Sequence, residues 1–333
     1  MTTHVPRLGR RFAATQAMAF TRHASLVTAR RLRHGPLAPP WEWPYEVMLS
    51  WLRERFAEEG MSFATMRRRL DAVGSLEARA HRRRLLSERA AGVPVVWVMP
   101  PGTAQEEVTL YLHGGAYVTG STVSHAALLL ALARRTGRRV LSVEYRLAPE
   151  HPCPAAIDDA VTAYRWLLDQ GVPASKVRLA GDSAGGGLTL ATLLALRDAD
   201  LPLPAGALLL SPWTDLEVSG DTPHRHARTD YLGTAERIHA FAGHYAGGLS
   251  RRDPRVSPLY APDLAGLPPL SILAGGSEMI LDDSTRMADR LREAGVAVDL
   301  HVEPHEVHVY PMFARVSERA RDGLERSAAF LAR

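Results

Sequence analysis

The stretch VRLAGDSAGGG (residues 177–187) joins a short apolar run to a glycine-rich turn, with one acid and one hydroxyl, Asp182 and Ser183, at its centre. A glycine-rich loop after a strand can cradle a phosphate, let two backbones touch, or hold a side chain in a strained and exposed position. The phosphate loop GxxxxGK[ST] is ruled out because its lysine is missing, and the dinucleotide fingerprint GxGxxG because the glycine spacing differs. What fits is G-x-S-x-G between a strand and a helix, at Gly181, Ser183 and Gly185. A sharp turn can present a serine only if its neighbours lack bulky side chains. The pattern alone is common, so its partners decide.

An activated serine needs a general base, an acid that orients the base, and donors for an oxyanion. On strand ends of this kind the chain order is serine, acid, histidine. LSILAG (270–275) is followed by GSEMILDDS, with Glu278, Asp282 and Asp283, and VAVDLHV (296–302) by EPHEVHVYPMF, with His305 and His308. Upstream, LYLHGGAYVTGS closes a strand with His-Gly-Gly-Ala, which nominates the N–H groups of Gly114, Gly115 and Ala116, together with that of Ala184, as the oxyanion hole. Glycine there keeps side chains off the substrate oxygen. His113 is read as fixing this loop, Asp182 as bracing the serine turn, and Glu150 and Asp158 as bracing neighbouring loops.

Farther out, the chain changes character near residue 75. Before it the pattern is helical, as in PYEVMLSWLRERFAEEG (44–60), where Val47, Leu49, Leu52 and Phe56 mark an apolar face. A proline-broken connector, HGPLAPPWEWP, precedes it. From about residue 78, seven apolar runs predict strands: 93–99, 108–114, 139–145, 177–181, 206–212, 270–275 and 296–302. Helices are predicted at 124–136, 154–170, 184–198 and 283–294. Apolar strands separated by helices predict an α/β fold, its parallel sheet covered on both faces. The interval 213–268 is too long for a crossover and predicts an inserted subdomain.

With 333 residues, 46% apolar and 23% charged, the chain can bury a sizeable core. Lys176 is the sole lysine, so a net charge of +4 rests on arginine. The clusters Arg30–Arg33, Arg67–Arg69 and Arg82–Arg84 lack interleaved aromatics, so they read as solvated faces and no nucleic-acid partner is expected. Cys153 alone permits neither an internal disulfide nor a thiolate metal cluster. The first twenty residues carry an apolar run broken by Thr15 and Gln16, poor for a signal sequence, and nowhere do 18 uncharged apolar residues run together. A cytoplasmic protein with no membrane span is the expectation. His224, His226, His239 and His244 show no ligand-pair spacing and read as surface histidines, with no metal or other cofactor expected.

Taken in order, HGGAYVTGS, YRLAPEHPCPAAIDDA, GDSAGGG, SPWTDL, DPRVSPLYA and GGSEMILDDS…HEVHVYPMF resemble the bacterial hormone-sensitive-lipase-like branch of the α/β-hydrolases, over residues 90–330. The resemblance implies an eight-stranded, mostly parallel sheet flanked by helices. It implies an N-terminal helical cap region (1–75) and a catalytic domain (76–333) with a cap insertion at about 213–250. It also implies a serine carboxylesterase acting on short- to medium-chain esters through an acyl-enzyme. Carried over by position, Ser183 is the nucleophile, His308 the base, and Glu278 the acid, with Asp282 the reserve. Ala116 stands where the commoner loop has a third glycine; it keeps an N–H but adds a methyl beside the acyl site. His305 lacks the aromatic-apolar helix start that follows His308.

Alternatives stay open at this level. A lactone hydrolase would use the same triad, and a non-catalytic small-ligand receptor would use the same scaffold. Trp41, Trp43, Tyr45 and Met48 either line an acyl pocket or hold cap to core. An exposed final strand can pair two subunits edge to edge as a homodimer.

Overall fold

The computed structural model describes residues 10–57, 60–102 and 106–333. Its eight strands are β1 (Leu85–Ala90), β2 (Val93–Val98), β3 (Val108–Leu112), β4 (Arg139–Val143), β5 (Val177–Asp182), β6 (Gly206–Leu210), β7 (Leu270–Gly275) and β8 (Val298–Glu303). They form one sheet in the order β1-β2-β4-β3-β5-β6-β7-β8, antiparallel at β1/β2 and β2/β4 and parallel elsewhere. Every residue of β3, β5, β6 and β7 is buried, which is why these strands read as unbroken apolar runs.

Ten helices surround the sheet among the described residues: α1 (Arg10–His34), α2 (Trp43–Ala57), α3 (Phe63–Ala80), α4 (Ala126–Thr136), α5 (Ala155–Asp169), α6 (Ala184–Asp198), α7 (Thr222–Arg225), α8 (Ala235–Ala246), α9 (Leu281–Glu293) and α10 (Glu318–Ala332). The pleat sends successive side chains to opposite faces, so Leu110 joins Leu188 of α6 and Met287 of α9 on one side. Tyr111 joins Leu129 of α4 and Leu324 of α10 on the other. Each fully buried leucine contributes about 1.5–3 kcal/mol by leaving water. On α2, Val47, Leu49 and Leu52 are buried as the apolar face requires; the Phe56 side chain lies outside those described.

After the antiparallel edge pair β1 and β2, the parallel part of the sheet begins at β3, winds outward to β4, and returns past β3 to β5. Between β3 and β5 the winding reverses, leaving an open crevice at their carboxyl ends, where ligands of α/β sheets bind. The loops at that crevice are the two glycine-rich stretches.

Three sequence expectations need correction. Strand β1 is absent from the seven apolar runs, because its sequence LLSERA, at the sheet edge, buries only its first and last residues fully. Two of the three arginine clusters are also less solvated than expected, while Arg82 and Arg83 are exposed. Arg30 and Arg31 pair with the buried Glu46, and Arg67 reaches Glu150 at 2.7 Å and the carbonyls of Val118 (2.8 Å) and Ala148 (2.9 Å). Glu150 thus braces a loop as expected, but Asp158 is exposed. Its neighbour Asp159 holds the Arg146 N–H at 2.8 Å and its guanidinium at 2.9 Å.

Candidate active site

Ser183 sits between β5 and α6 with φ 53° and ψ −121°, a conformation that costs a non-glycine residue about 1–3 kcal/mol. Its N–H donates to the Leu210 carbonyl at 2.8 Å, and its carbonyl accepts from the Trp213 N–H at 2.9 Å. The end of β6 therefore holds the strain in place. The flanking glycines are there for want of space. A Cβ on Gly181 would stand 2.2 Å from the Gly185 carbonyl oxygen, and one on Gly185 would stand 1.9 Å from that of Leu112.

Across the crevice, the loop after β3 takes positive φ at Gly115 (122°), Ala116 (53°) and Tyr117 (62°). Gly115 and Ala116 are half-buried, and among the described residues neither N–H has a protein acceptor. Ala184 opens α6, where the first N–H groups lack intrahelical acceptors. Gly114 departs from its expected role: it is buried, and its N–H donates to Asp182 Oδ1 at 3.0 Å. Three of the four expected donors are therefore free, and the fourth anchors the loop.

Asp182 is the anchor's other end. Besides Gly114 it accepts the Tyr111 hydroxyl at 2.8 Å and lies 3.3 Å from Nε2 of the buried His125. Burial alone would raise this carboxyl, but the His125 charge and the hydrogen bonds outweigh it and hold Asp182 below the ordinary carboxylate range. Burial likewise opposes the charge on His125, and Asp182 overcomes it, so that imidazole titrates above its ordinary value. His113 behaves differently. Burial, with His125 nearby, pushes it down to about 4, and it stays neutral, stacked 4.3 Å from Tyr145 and bonded through Nδ1 to the Gly114 carbonyl. It fixes the loop, as its place in the sequence suggested.

Glu278 and His308 come from the loops after β7 and β8, both fully buried. Glu278 Oε2 accepts the Ser211 hydroxyl at 2.5 Å and the Gly275 N–H at 3.1 Å, and stands 3.7 Å from His308 Nδ1. Burial would lower the imidazole's pKa, yet the Glu278 carboxylate reverses that and raises it. Among the described residues neither ring nitrogen of His308 has a hydrogen-bond partner, as is common for catalytic groups before substrate tightens the site. The reserve acid has other work: Asp282 Oδ2 accepts the N–H groups of Asp221 (2.7 Å) and Thr222 (3.0 Å), and Asp283 those of Thr214 and Asp215 (2.7 Å each). Both fasten the 213–268 interval. His305 is exposed and offers only its carbonyl, to Trp41 Nε1 at 2.8 Å.

Ser211 is the site residue that sequence reasoning missed. It donates to Glu278 and accepts the Val309 N–H at 2.9 Å, while the preceding residue, Leu210, holds Ser183. The dipeptide Leu210–Ser211 is thus one hydrogen bond from Ser183, from Glu278 and from the neighbour of His308. In the sequence it is only the end of an apolar run before a proline.

A family profile described as alpha/beta hydrolase fold matches residues 109–312. An acetyl-hydrolase of Streptomyces hygroscopicus is 44% identical over 236 residues, 71% of this chain and 78% of that protein. An esterase of Acinetobacter venetianus is 36% identical over 243 residues, 73% and 80% of the two chains. A solved esterase from the bacterial hormone-sensitive lipase family, 42% identical, superposes with a TM-score of 0.80 over 85% of this chain and 95% of its own. The chain belongs to the α/β-hydrolase family, in its hormone-sensitive-lipase branch. The loops that hold Gly115, Ser183, Glu278 and His308 follow β3, β5, β7 and β8. Among the described residues no helix is long and apolar enough to cross a membrane. His224, His239 and His244 are exposed and His226 half-buried.

Proposed function

We propose that this carboxylic ester hydrolase cleaves short- to medium-chain esters through an acyl-enzyme on Ser183. His308 takes the serine proton as Oγ attacks the carbonyl carbon and delivers it to the departing alcohol. Glu278 orients the imidazole and stabilises its cation. The N–H groups of Gly115, Ala116 and Ala184 receive the oxyanion, each contributing a rate factor on the order of 10²–10³. Water, activated by the same histidine, then attacks the acyl carbon, returning the acid and free Ser183. The observation that carries this reading is the strained Ser183, tied through Leu210–Ser211 to the Glu278 and His308 loops.

The N-terminal helices and the 213–250 insertion are proposed as the cap, with Trp41 and Tyr45 as glue, both being buried and hydrogen-bonded to the His305–Glu306 turn. A homodimer through the edge strand β8 and a cytoplasmic location belong to the same reading; light scattering and cell fractionation test them. The activity test is p-nitrophenyl butyrate hydrolysis by wild type and Ser183→Ala, beside a panel of acyl lengths and lactones. Loss of at least 10³-fold on Ser183→Ala is expected. Wild-type turnover in that variant, or turnover of lactones alone, would overturn the ester reading.

A further inference from the structure

The 213–250 segment also reaches the loops after β7 and β8. Three consecutive residues, Thr229, Asp230 and Tyr231, take hold of the loops that carry the acid and the base. Asp230 is fully buried; its Oδ2 accepts the Met279 N–H at 2.7 Å and its Oδ1 the Tyr231 N–H at 2.6 Å. Thr229 Oγ1 donates to the Ser277 carbonyl at 3.2 Å. The peptides on both sides of Glu278 are therefore gripped by one segment. Tyr231 completes the hold: its hydroxyl donates to the His308 carbonyl at 3.1 Å, and its ring meets the edge of Phe313 at 5.8 Å.

We propose that Thr229–Asp230–Tyr231 is a positioning element for the acid and base, with Asp230 as its anchor, so that seating the insertion and aligning Glu278 with His308 are one event. This rests on the triad reading given above. A carboxylate suits the anchor because the Met279 and Tyr231 N–H groups meet different oxygens of Asp230, and an amide in the same place would set its NH₂ against one of them. The charge adds a second effect. The ionisable groups facing Asp230 are His308, Glu278 and, from α2, Arg53, whose guanidinium also bonds the carbonyls of Ala227 and Arg228. A carboxylate there favours a protonated His308, reinforcing Glu278. Burial, partly offset by His308, pushes Asp230 itself up to about 6, so the anchor is ionised in the neutral range where an esterase base must be free.

The test compares Asp230→Asn, Tyr231→Phe and wild type in p-nitrophenyl butyrate hydrolysis from pH 5 to 9, with thermal melts as folding controls. Asp230→Asn is expected to lose about 10–100-fold in kcat with KM within threefold, since a misplacement of about 1 Å costs on the order of 10²-fold. The acid limb of its kcat/KM profile should move to lower pH, a shift that a merely structural role would not produce. Tyr231→Phe keeps the ring and loses only the bond to His308, so a fall of about 3–10-fold in kcat at unchanged KM is expected. Wild-type kcat and an unmoved acid limb in Asp230→Asn overturn the proposal. If that variant does not fold, Tyr231→Phe decides: lowered kcat supports the proposal and wild-type kcat overturns it. Ser183→Ala and Glu278→Gln run alongside, and full activity in those variants would sink the triad reading instead.

Discussion

Adding one methyl group at Gly185 tests the site's construction more sharply than removing a catalytic group. In Gly185→Ala the new Cβ would lie 1.9 Å from the Leu112 carbonyl oxygen and 2.6 Å from that of His113. Real Cβ atoms do not approach closer than 3.0 Å, so the start of α6 and the end of β3 must part by at least 1.1 Å. Both partners are backbone, and no side chain can swing away to absorb the clash. Overpacking of this kind costs about 1–3 kcal/mol, which in a chain of this size lowers Tm by a few degrees. The larger effect is on rate. The separation moves Ala184, at the head of α6, away from Gly115 and Ala116, which follow β3. Splitting the proposed oxyanion hole by about 1 Å predicts a loss on the order of 10²-fold in kcat. Gly248→Ala is the control, since a Cβ there meets nothing within 4 Å. Calorimetry and p-nitrophenyl butyrate kinetics read both variants. A Gly185→Ala enzyme with kcat/KM within threefold of wild type and an unchanged Tm would refute the account of why this position is glycine.

Glu278→Gln should lower kcat by about 10³–10⁴-fold and shift the acid limb of kcat/KM to lower pH, because the carboxylate raises His308. Asp282→Asn should keep kcat and lose about 1–2 kcal/mol of stability in urea melts, since it holds two N–H groups of the insertion; the reverse outcome would reassign the acid. Burial raises the Glu306 carboxyl from 4.5 to about 7, only partly countered by the Tyr45 hydroxyl 2.6 Å away. The folded chain therefore holds a proton that the unfolded chain releases near pH 4.5, and this term makes stability fall as pH rises through the window from 4.5 to 7. Glu306→Gln should relieve it by on the order of 3 kcal/mol at pH 8 and far less at pH 5. A stability difference that does not vary with pH would contradict the assignment.

What the sequence shows of this molecule depends on how locally each feature is encoded. Strands buried on both faces, such as LSILAG, announce themselves because every position is apolar. The edge strand LLSERA does not, since it buries only its first and last residues fully. The serine turn and the HGGA loop are legible because a tight backbone needs small residues at fixed spacing. The engagement of Gly114 is not, for it depends on a carboxylate 68 residues away. One residue can also decide a role: neighbours on a helix point about 100° apart, so Asp159 faces Arg146 while Asp158 faces water. Arginine runs mislead for a related reason. Whether Arg30 is solvated depends on Glu46, buried on another helix.

The parts of the chain outside the sheet fasten onto the loops that carry the chemistry. Trp41, just before α2, and Tyr45, within it, bond to His305 and Glu306, just ahead of His308. From α3, Arg67 bonds to Val118 in the loop after β3, and Asp71 accepts the Ser121 hydroxyl at 2.5 Å. Ser121 and Ser124 lead on to His125, and His125 to Asp182, which holds Gly114. The 213–268 interval is fixed by Asp282 and Asp283 on the stretch that also bears Glu278. The loops after β3, β7 and β8 are thus each held twice, by the strand that leads into them and by a helix, its flanking residue or the 213–268 interval. A strand alone leaves a loop free to pivot about its last ladder bond, whereas two separated anchors fix its direction as well as its position. Direction is what an oxyanion hole and an imidazole require. It follows that substitutions on the covering helices should change kcat as well as substrate choice, because the same hydrogen bonds shape the crevice and aim the groups within it.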